Sequence, residues 1–266
     1  MYLRAPSCIC GHKSREVRVV TKAKVIAVTG ASRGIGAAIA VELAHRGCTV
    51  ACLTRKGKGP EVQGAKALAG KFVDVACDVT DEASLKAAFA TVVGQAGALD
   101  GLVNNAGIHL DGASHELPTA TYEKVMSTNA TAVYTACREA YPHLVKSGGG
   151  CIVNIGSFFD KVGVKRNVAY CASKAAVGAI TRCLAVEWAN RGIRVLDVAP
   201  GYIVTDLNRD AMTSGPLADY LKKRIPSGAT GKPADVARLV AAIFSEDIPF
   251  LSGETIYIDG AQGINH

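Results

Sequence analysis

"KVIAVTGASRGIGAAIAVELAHRG", residues 24–47, decides the fold. Its first part, 24–30, is a short apolar run ending in Thr-Gly and reads as a buried strand. Residues 35–47 carry apolar side chains at helical spacing and close on Gly47, a helix stop signal. "CTVACL" (48–53) is strand-like again, so the segment is one strand–helix–strand unit of roughly thirty residues. The joint between the first strand and its helix is "TGASRGIG" (29–36). Gly30 permits the sharp turn, Gly34 lets the backbone approach a pyrophosphate, and Gly36 lets the helix pack closely on the sheet. The helix amino terminus then offers free N–H groups and the positive end of its dipole to phosphates. Three glycines alone describe many connecting loops. Their place between a buried strand and an apolar helix makes this a nucleotide site.

The alternation continues outward. "KFVDVAC" (71–77), "LDGLVNNAG" (99–107), "CIVNIGS" (151–157), "IRVLDVAPG" (193–201) and "ETIYID" (254–259) read as strands. Between them lie helical patterns: 81–97, opened by Thr80 or Asp81; a long one over about 119–146; another at 168–192; and 233–244, which starts with Pro. Seven strands alternating with helices, without a compositional break, predict an α/β, Rossmann-like, doubly wound fold. It has a parallel sheet with helices on both faces, in one domain over 24–266. Ligands then belong at the carboxyl ends of the strands. Residues 202–228 read as a loop with short helices.

Composition fits that class. Hydrophobic residues make up 49% of the 266 and charged residues 20%, enough apolar material for one sizeable core. The formal charge of +7 is concentrated at the amino end, where Arg4, Lys13, Arg15, Arg18, Lys22 and Lys24 face only Glu16. The body is nearly neutral, which argues against a nucleic-acid surface. No apolar stretch approaches a membrane-spanning length. Residues 1–23 lack the apolar centre of a secretory signal and are expected to be a flexible, non-catalytic arm; being basic and acid-poor, they leave an organelle transit peptide open. Cys8, Cys10 and His12 have no matching second half nearby, so no metal site is expected. Nine scattered cysteines, an odd count, suit reduced, mostly buried thiols and a cytoplasmic protein.

"YCASK" (170–174) puts Tyr170 and Lys174 one helical turn apart. The pair alone is common. Ser157, at a strand end thirteen residues earlier, should open on the same edge of the sheet. A phenol is a poor acid or base near neutral pH; a nearby ammonium favours the phenolate, and a serine hydroxyl can bond an oxygen on which charge develops.

With these motifs the chain resembles the short-chain dehydrogenase/reductase family, whose glycine pattern is T-G-x-x-x-G-x-G; the resemblance covers about 24–264. It implies that Tyr170 exchanges a proton with the substrate oxygen. Lys174 holds the nicotinamide ribose and tunes Tyr170, Ser157 orients the substrate, and Asn129 in "MSTNATAVY" helps hold a water behind Lys174. Asn129 taken alone also fits a structural kink or a surface position. The same resemblance lays the cofactor along Gly30, Ser32, Arg33, Gly34, Ile35 and Gly36, then Asp78 and Val79 of "CDVT", and Asn105, Ala106 and Gly107 of "NNAG". Asp78 would accept the adenine amino group, although a helix cap is equally open to it. "PGYIVTD" (200–206) matches the carboxamide loop, with Pro200, Gly201, the backbone of Ile203 and the hydroxyl of Thr205. One departure precedes it: Leu196 replaces the family's usual Asn, which puts a sheet-supporting hydrogen bond in doubt.

"CLTRKGKG" (52–59) occupies the place where an Asp or Glu would hold the adenosine ribose. Thr54 and Arg55 stand there instead. Arg55, joined by Arg33 and Ser32, suits a 2′-phosphate, because a guanidinium matches phosphate bidentately where a carboxylate would repel it. NADP(H) is therefore expected over NAD(H).

The substrate is less legible. Phe158, Phe159, Val164 and Tyr202 are candidates for the pocket wall, Phe158 and Phe159 equally for packing beneath it. Lys165 and Arg166, and His109 and Asp111, lie in sequence near the mouth. The general look is similar to 3-oxoacyl-(acyl-carrier-protein) reductases and related carbonyl reductases. Val186 in "LAVEWANRG", where many of those carry a basic residue, and "GYIVTDLN" look like gluconate 5-dehydrogenase and similar polyol enzymes. A small-molecule ketone or alcohol is the expected partner. A non-catalytic NADP(H)-binding regulator is the alternative of another class. Family members commonly form homotetramers, with a dimer as the lesser alternative, and an apolar edge strand at 254–259 fits such pairing.

Overall fold

The computed structural model describes residues 23–206, 208–246 and 248–265. The expectations for the basic arm, including Cys8, Cys10 and His12, lie outside the described residues. The chain runs β1 (Val25–Thr29), α1 (Gly34–His45), β2 (Thr49–Thr54), β3 (Phe72–Ala76), α2 (Glu82–Ala96) and β4 (Gly101–Asn104). It continues through α3 (Thr119–Met126), α4 (Ala132–Lys146), β5 (Gly150–Ile155), α5 (Val168–Trp188) and β6 (Ile193–Pro200). The short helices α6 (Arg209–Thr213) and α7 (Pro216–Arg224), then α8 (Pro233–Ser245) and β7 (Thr255–Ile258), complete it.

All seven strands are parallel, in the order β3-β2-β1-β4-β5-β6-β7. The order reverses between β1 and β4, so a crevice opens beyond their carboxyl ends. Alternate strand residues feed two cores. Ala27, Leu53, Leu102 and Ile152 pack with Phe89 of α2, Leu144 of α4 and Val177 of α5. Ile26, Val28, Val103 and Val153 pack with Ile39 and Leu43 of α1 and Val240 and Phe244 of α8. Burial on both faces explains why the strands read as continuous apolar runs.

Three local features differ from or refine the sequence reading. Asp81, not Thr80, caps α2: its Oδ1 accepts from the N–H groups of Ala83 (2.9 Å) and Ser84 (3.4 Å). The long helix expected over 119–146 is interrupted by a π-helical turn at Ser127–Thr131. A 3-10 segment, Ala65–Lys71, lies between β2 and β3, where sequence gave no helix. Among the described residues no helix is long and apolar enough to cross a membrane. Cys52, Cys77, Cys137 and Cys151 are buried free thiols, whereas Cys183 is exposed.

Candidate active site

A cleft of about 620 Å³ opens beyond β1, β2 and β4, floored by the glycine turn. Gly30 (φ +66°) and Gly34 (φ +58°) adopt left-handed backbone that other residues rarely take. A Cβ on Gly36 would collide with the Gly30 carbonyl oxygen and the Asn105 side-chain amide, so α1 can approach β1 and β4 only with glycine there. Arg33 stands at the N-cap of α1 without a side-chain cap bond, and the first turn carries no acid. The first N–H groups of α1 therefore face the cleft as an anion site. Asn105 fastens this end of the sheet: its N–H donates to Thr29 Oγ1 (2.9 Å) and its Nδ2 to the Thr29 carbonyl (3.0 Å). These features fit a dinucleotide: open N–H donors, a side-chain-free floor, and a trough reaching Ala106 and Gly107.

Arg33 and Arg55 both line the cleft and are exposed, with Ser32 beside Arg33. Among the described residues neither guanidinium makes an ion pair. Thr54 also lines the cleft, but its hydroxyl is committed to its own turn, donating to the Lys58 carbonyl and accepting from the Lys58 N–H, each at 2.9 Å. Asp78 is not a helix cap. Its Oδ1 accepts from the Thr80 N–H (2.9 Å) and hydroxyl (2.7 Å), bonds that hold its carboxyl below the usual range, with Arg55 assisting. Ile35 and Val79 complete this wall.

Tyr170 and Lys174 share one face of α5, and Ser157 follows β5 as the N-cap of a 3-10 turn. Burial pushes the Tyr170 phenol up to about 12, and the adjacent Ser157 hydroxyl opposes part of that rise. Burial here outweighs the pull toward neutrality expected of Lys174. The Lys174 ammonium points to the Ile155 carbonyl (Nζ···O 2.7 Å) and stands 5.6 Å from the Tyr170 ring centre. Lys174 is itself 6% exposed. Burial brings it down to about 8, opposed by the Asp197 carboxylate.

Asn129, fully buried, lies in the π-helical turn. Its Oδ1 accepts from the Ile108 N–H (2.8 Å), and its Nδ2 donates to the Ile108 carbonyl (2.8 Å) and Ser173 Oγ (3.2 Å). It thus ties the loop after β4 to α5 one residue before Lys174. Single π turns of this kind inside helices recur at functional sites.

Other predicted residues fall apart from the cleft or change role. Pro200 ends β6, and Gly201 packs against Asp259, donating to the Ile258 carbonyl (3.0 Å). Neither lines the cleft. The Ile203 carbonyl is taken by Asn208 Nδ2 (3.0 Å), whereas Thr205 borders the cleft beside Gly34. Phe158 and Phe159 are buried in an aromatic cluster with Tyr202, and of these Phe159 also meets Tyr170 edge-on (ring centres 5.8 Å apart). Phe158 is therefore packing and not pocket surface. Val164 is partly exposed on the neighbouring loop. Arg166 makes an exposed ion pair with Asp111 (3.0 Å).

Two features escaped the sequence reading. Asp197 on β6 is fully buried, with Oδ2 accepting from Thr255 Oγ1 (3.3 Å) and Oδ1 unpartnered among the described residues. Burial raises its carboxyl to about 6, against the pull of Lys174. It stands exactly where no motif pointed, one residue beyond Leu196. The second is the contact of the His109 ring with Tyr170, edge-on at 4.7 Å between centres.

Comparison with known proteins agrees with this geometry. A family model described as "Enoyl-(Acyl carrier protein) reductase" matches residues 30–262. The chain is 35% identical over 243 residues to D-threitol dehydrogenase of Mycolicibacterium smegmatis, covering 91% of this chain and 93% of that one. It is 36% identical over 238 residues to a 3-oxoacyl-(acyl-carrier-protein) reductase of Staphylococcus aureus, covering 88% and 96%. The crystal structure of a short-chain type dehydrogenase/reductase from Mycobacterium marinum superposes with a TM-score of 0.81 at 33% identity, covering 90% of this chain and 95% of that one.

Proposed function

The chain belongs to the short-chain dehydrogenase/reductase family, which uses a nicotinamide cofactor, and on that premise we propose that it is an NADPH-dependent oxidoreductase interconverting a ketone and a secondary alcohol. The observation that carries this reading is the meeting of Ser157 and Tyr170, with Lys174 one turn along α5, at the carboxyl end of β5, the strand next to those beneath the glycine-floored cleft.

In this reading the N–H groups at the start of α1 hold the pyrophosphate over Gly34, and Arg33 and Arg55 take the 2′-phosphate. When bound, the nicotinamide supplies or accepts the hydride at the carbonyl carbon of the substrate. Tyr170 gives the proton to the carbonyl oxygen. A phenol near 12 is fully protonated at neutral pH, which suits a donor in the direction of reduction. Ser157 donates a hydrogen bond to the same oxygen as charge builds on it. The Lys174 ammonium stabilises the phenolate that Tyr170 leaves behind. Asn129 acts through position, locking Ile108 and Ser173 so that the helix face bearing Tyr170 and Lys174 keeps its register.

A carbonyl reductase of the 3-oxoacyl type is the leading substrate reading, supported by the Staphylococcus relative. A polyol or sugar-acid dehydrogenase is the second, favoured by the exposed Val186 and by the threitol relative. The test is oxidation of NADPH and of NADH with a panel of 3-oxoacyl thioesters, keto-acids of sugars and small ketones. Turnover with NADPH preferred is expected. Tight NADPH binding with no turnover in either direction would point to a non-catalytic regulator.

A further inference from the structure

Tyr170 meets two unlike neighbours. One is Phe159, part of an apolar aromatic cluster with Phe158 and Tyr202. The other is His109, exposed, its ring edge-on to Tyr170 at 4.7 Å. The imidazole is held there by design of the two loops that meet at this point. Asn167 Nδ2 donates to the Lys165 carbonyl (2.8 Å), which leaves its Oδ1 facing His109 Nε2 as an acceptor. Nε2 of the neutral ring must therefore carry the hydrogen, and Nδ1 is left as an acceptor. The same loops are joined again by Arg166 Nε to Asp111 (3.0 Å) and by the Gly112 N–H to the Arg166 carbonyl (2.9 Å).

We propose that His109 is a specificity-determining residue, accepting through Nδ1 a hydrogen bond from a hydroxyl on the carbon next to the reacting one. The site then takes small vicinal diols and α-hydroxyketones. This rests on the oxidoreductase reading above and, within it, selects the polyol class over the 3-oxoacyl one. An oriented acceptor beside the tyrosine rewards a substrate that supplies a donor in place of water, by the net worth of one hydrogen bond. Asn167 acts as a positioning residue, fixing which nitrogen of His109 is free.

The test compares oxidation of 2,3-butanediol with that of 2-butanol, two alcohols of one carbon skeleton differing by the neighbouring hydroxyl. The wild-type protein is expected to favour the diol in kcat/KM by about tenfold or more. H109A should lower that ratio about tenfold, chiefly through KM for the diol. H109N, whose amide oxygen can stand in for Nδ1, should restore most of it. Turnover of both alcohols with no preference, or a ratio unchanged by H109A, overturns the proposal and leaves the oxidoreductase reading standing. Turnover of neither alcohol, while a ketone of the panel above is reduced, overturns the proposal alone; turnover of neither alcohol and of no panel ketone, although the nucleotide binds by fluorescence titration, overturns both.

Discussion

Tyr170 and Lys174 were legible from their spacing and Ser157 from its strand end, because each rule involved is local. Their electrostatics were not. Sequence suggested that an ammonium one turn away would acidify the phenol, but burial outweighs that pull, and the ammonium also bonds the Ile155 carbonyl. Asp197, which acts on Lys174 of α5 from β6, is a long-range neighbour that no motif announces. One consequence is a pH dependence. Lys174 is charged below about 8 and neutral above it. Since the charged form supports the phenolate that follows proton donation, ketone reduction should be sustained below that pH and fall as pH rises through it. A profile of kcat/KM between pH 6 and 10 checks this. A rate that is flat across that span would remove Lys174 from the step.

At the scale of elements, the turn from β1 to α1 depends on what is missing at Gly36. Gly36→Ala would drive a methyl group into the Gly30 carbonyl, which is backbone, and the Asn105 side-chain amide, which is held by its bond to the Thr29 carbonyl. Separation of α1 from the sheet, or rotation of its first turn, would misaim the N–H donors. Overpacking of this kind costs about 1–3 kcal/mol. The variant should melt several degrees lower and bind NADPH at least tenfold more weakly, measured by thermal denaturation and by titration. The strand–helix alternation was readable because both cores impose a strong apolar pattern. The π-helical turn carrying Asn129 was not, since its sequence, Ser127–Thr131, has no Pro or Gly to mark an interruption. The 3-10 segment Ala65–Lys71 was missed because the stretch before it, rich in Gly and Pro, reads as loop.

For the whole molecule, parallel pairing and strand number followed from composition and alternation, whereas the assembly does not follow from one chain. β7 pairs with β6 alone among the described residues, and its side chains are only partly covered. Such an edge is a liability unless another copy or another element covers it. Sedimentation equilibrium is expected to give four chains per particle; a monomer across the concentration range would refute that expectation. The account as a whole stands on one residue, for the cleft, the lysine and the serine have a common purpose only if Tyr170 moves the proton. The direct measurement is turnover of Tyr170→Phe on a ketone that the wild-type protein reduces, with nucleotide binding followed in parallel. The account predicts intact NADPH binding and a loss of kcat by about two to four orders of magnitude. Wild-type turnover in that variant would contradict it.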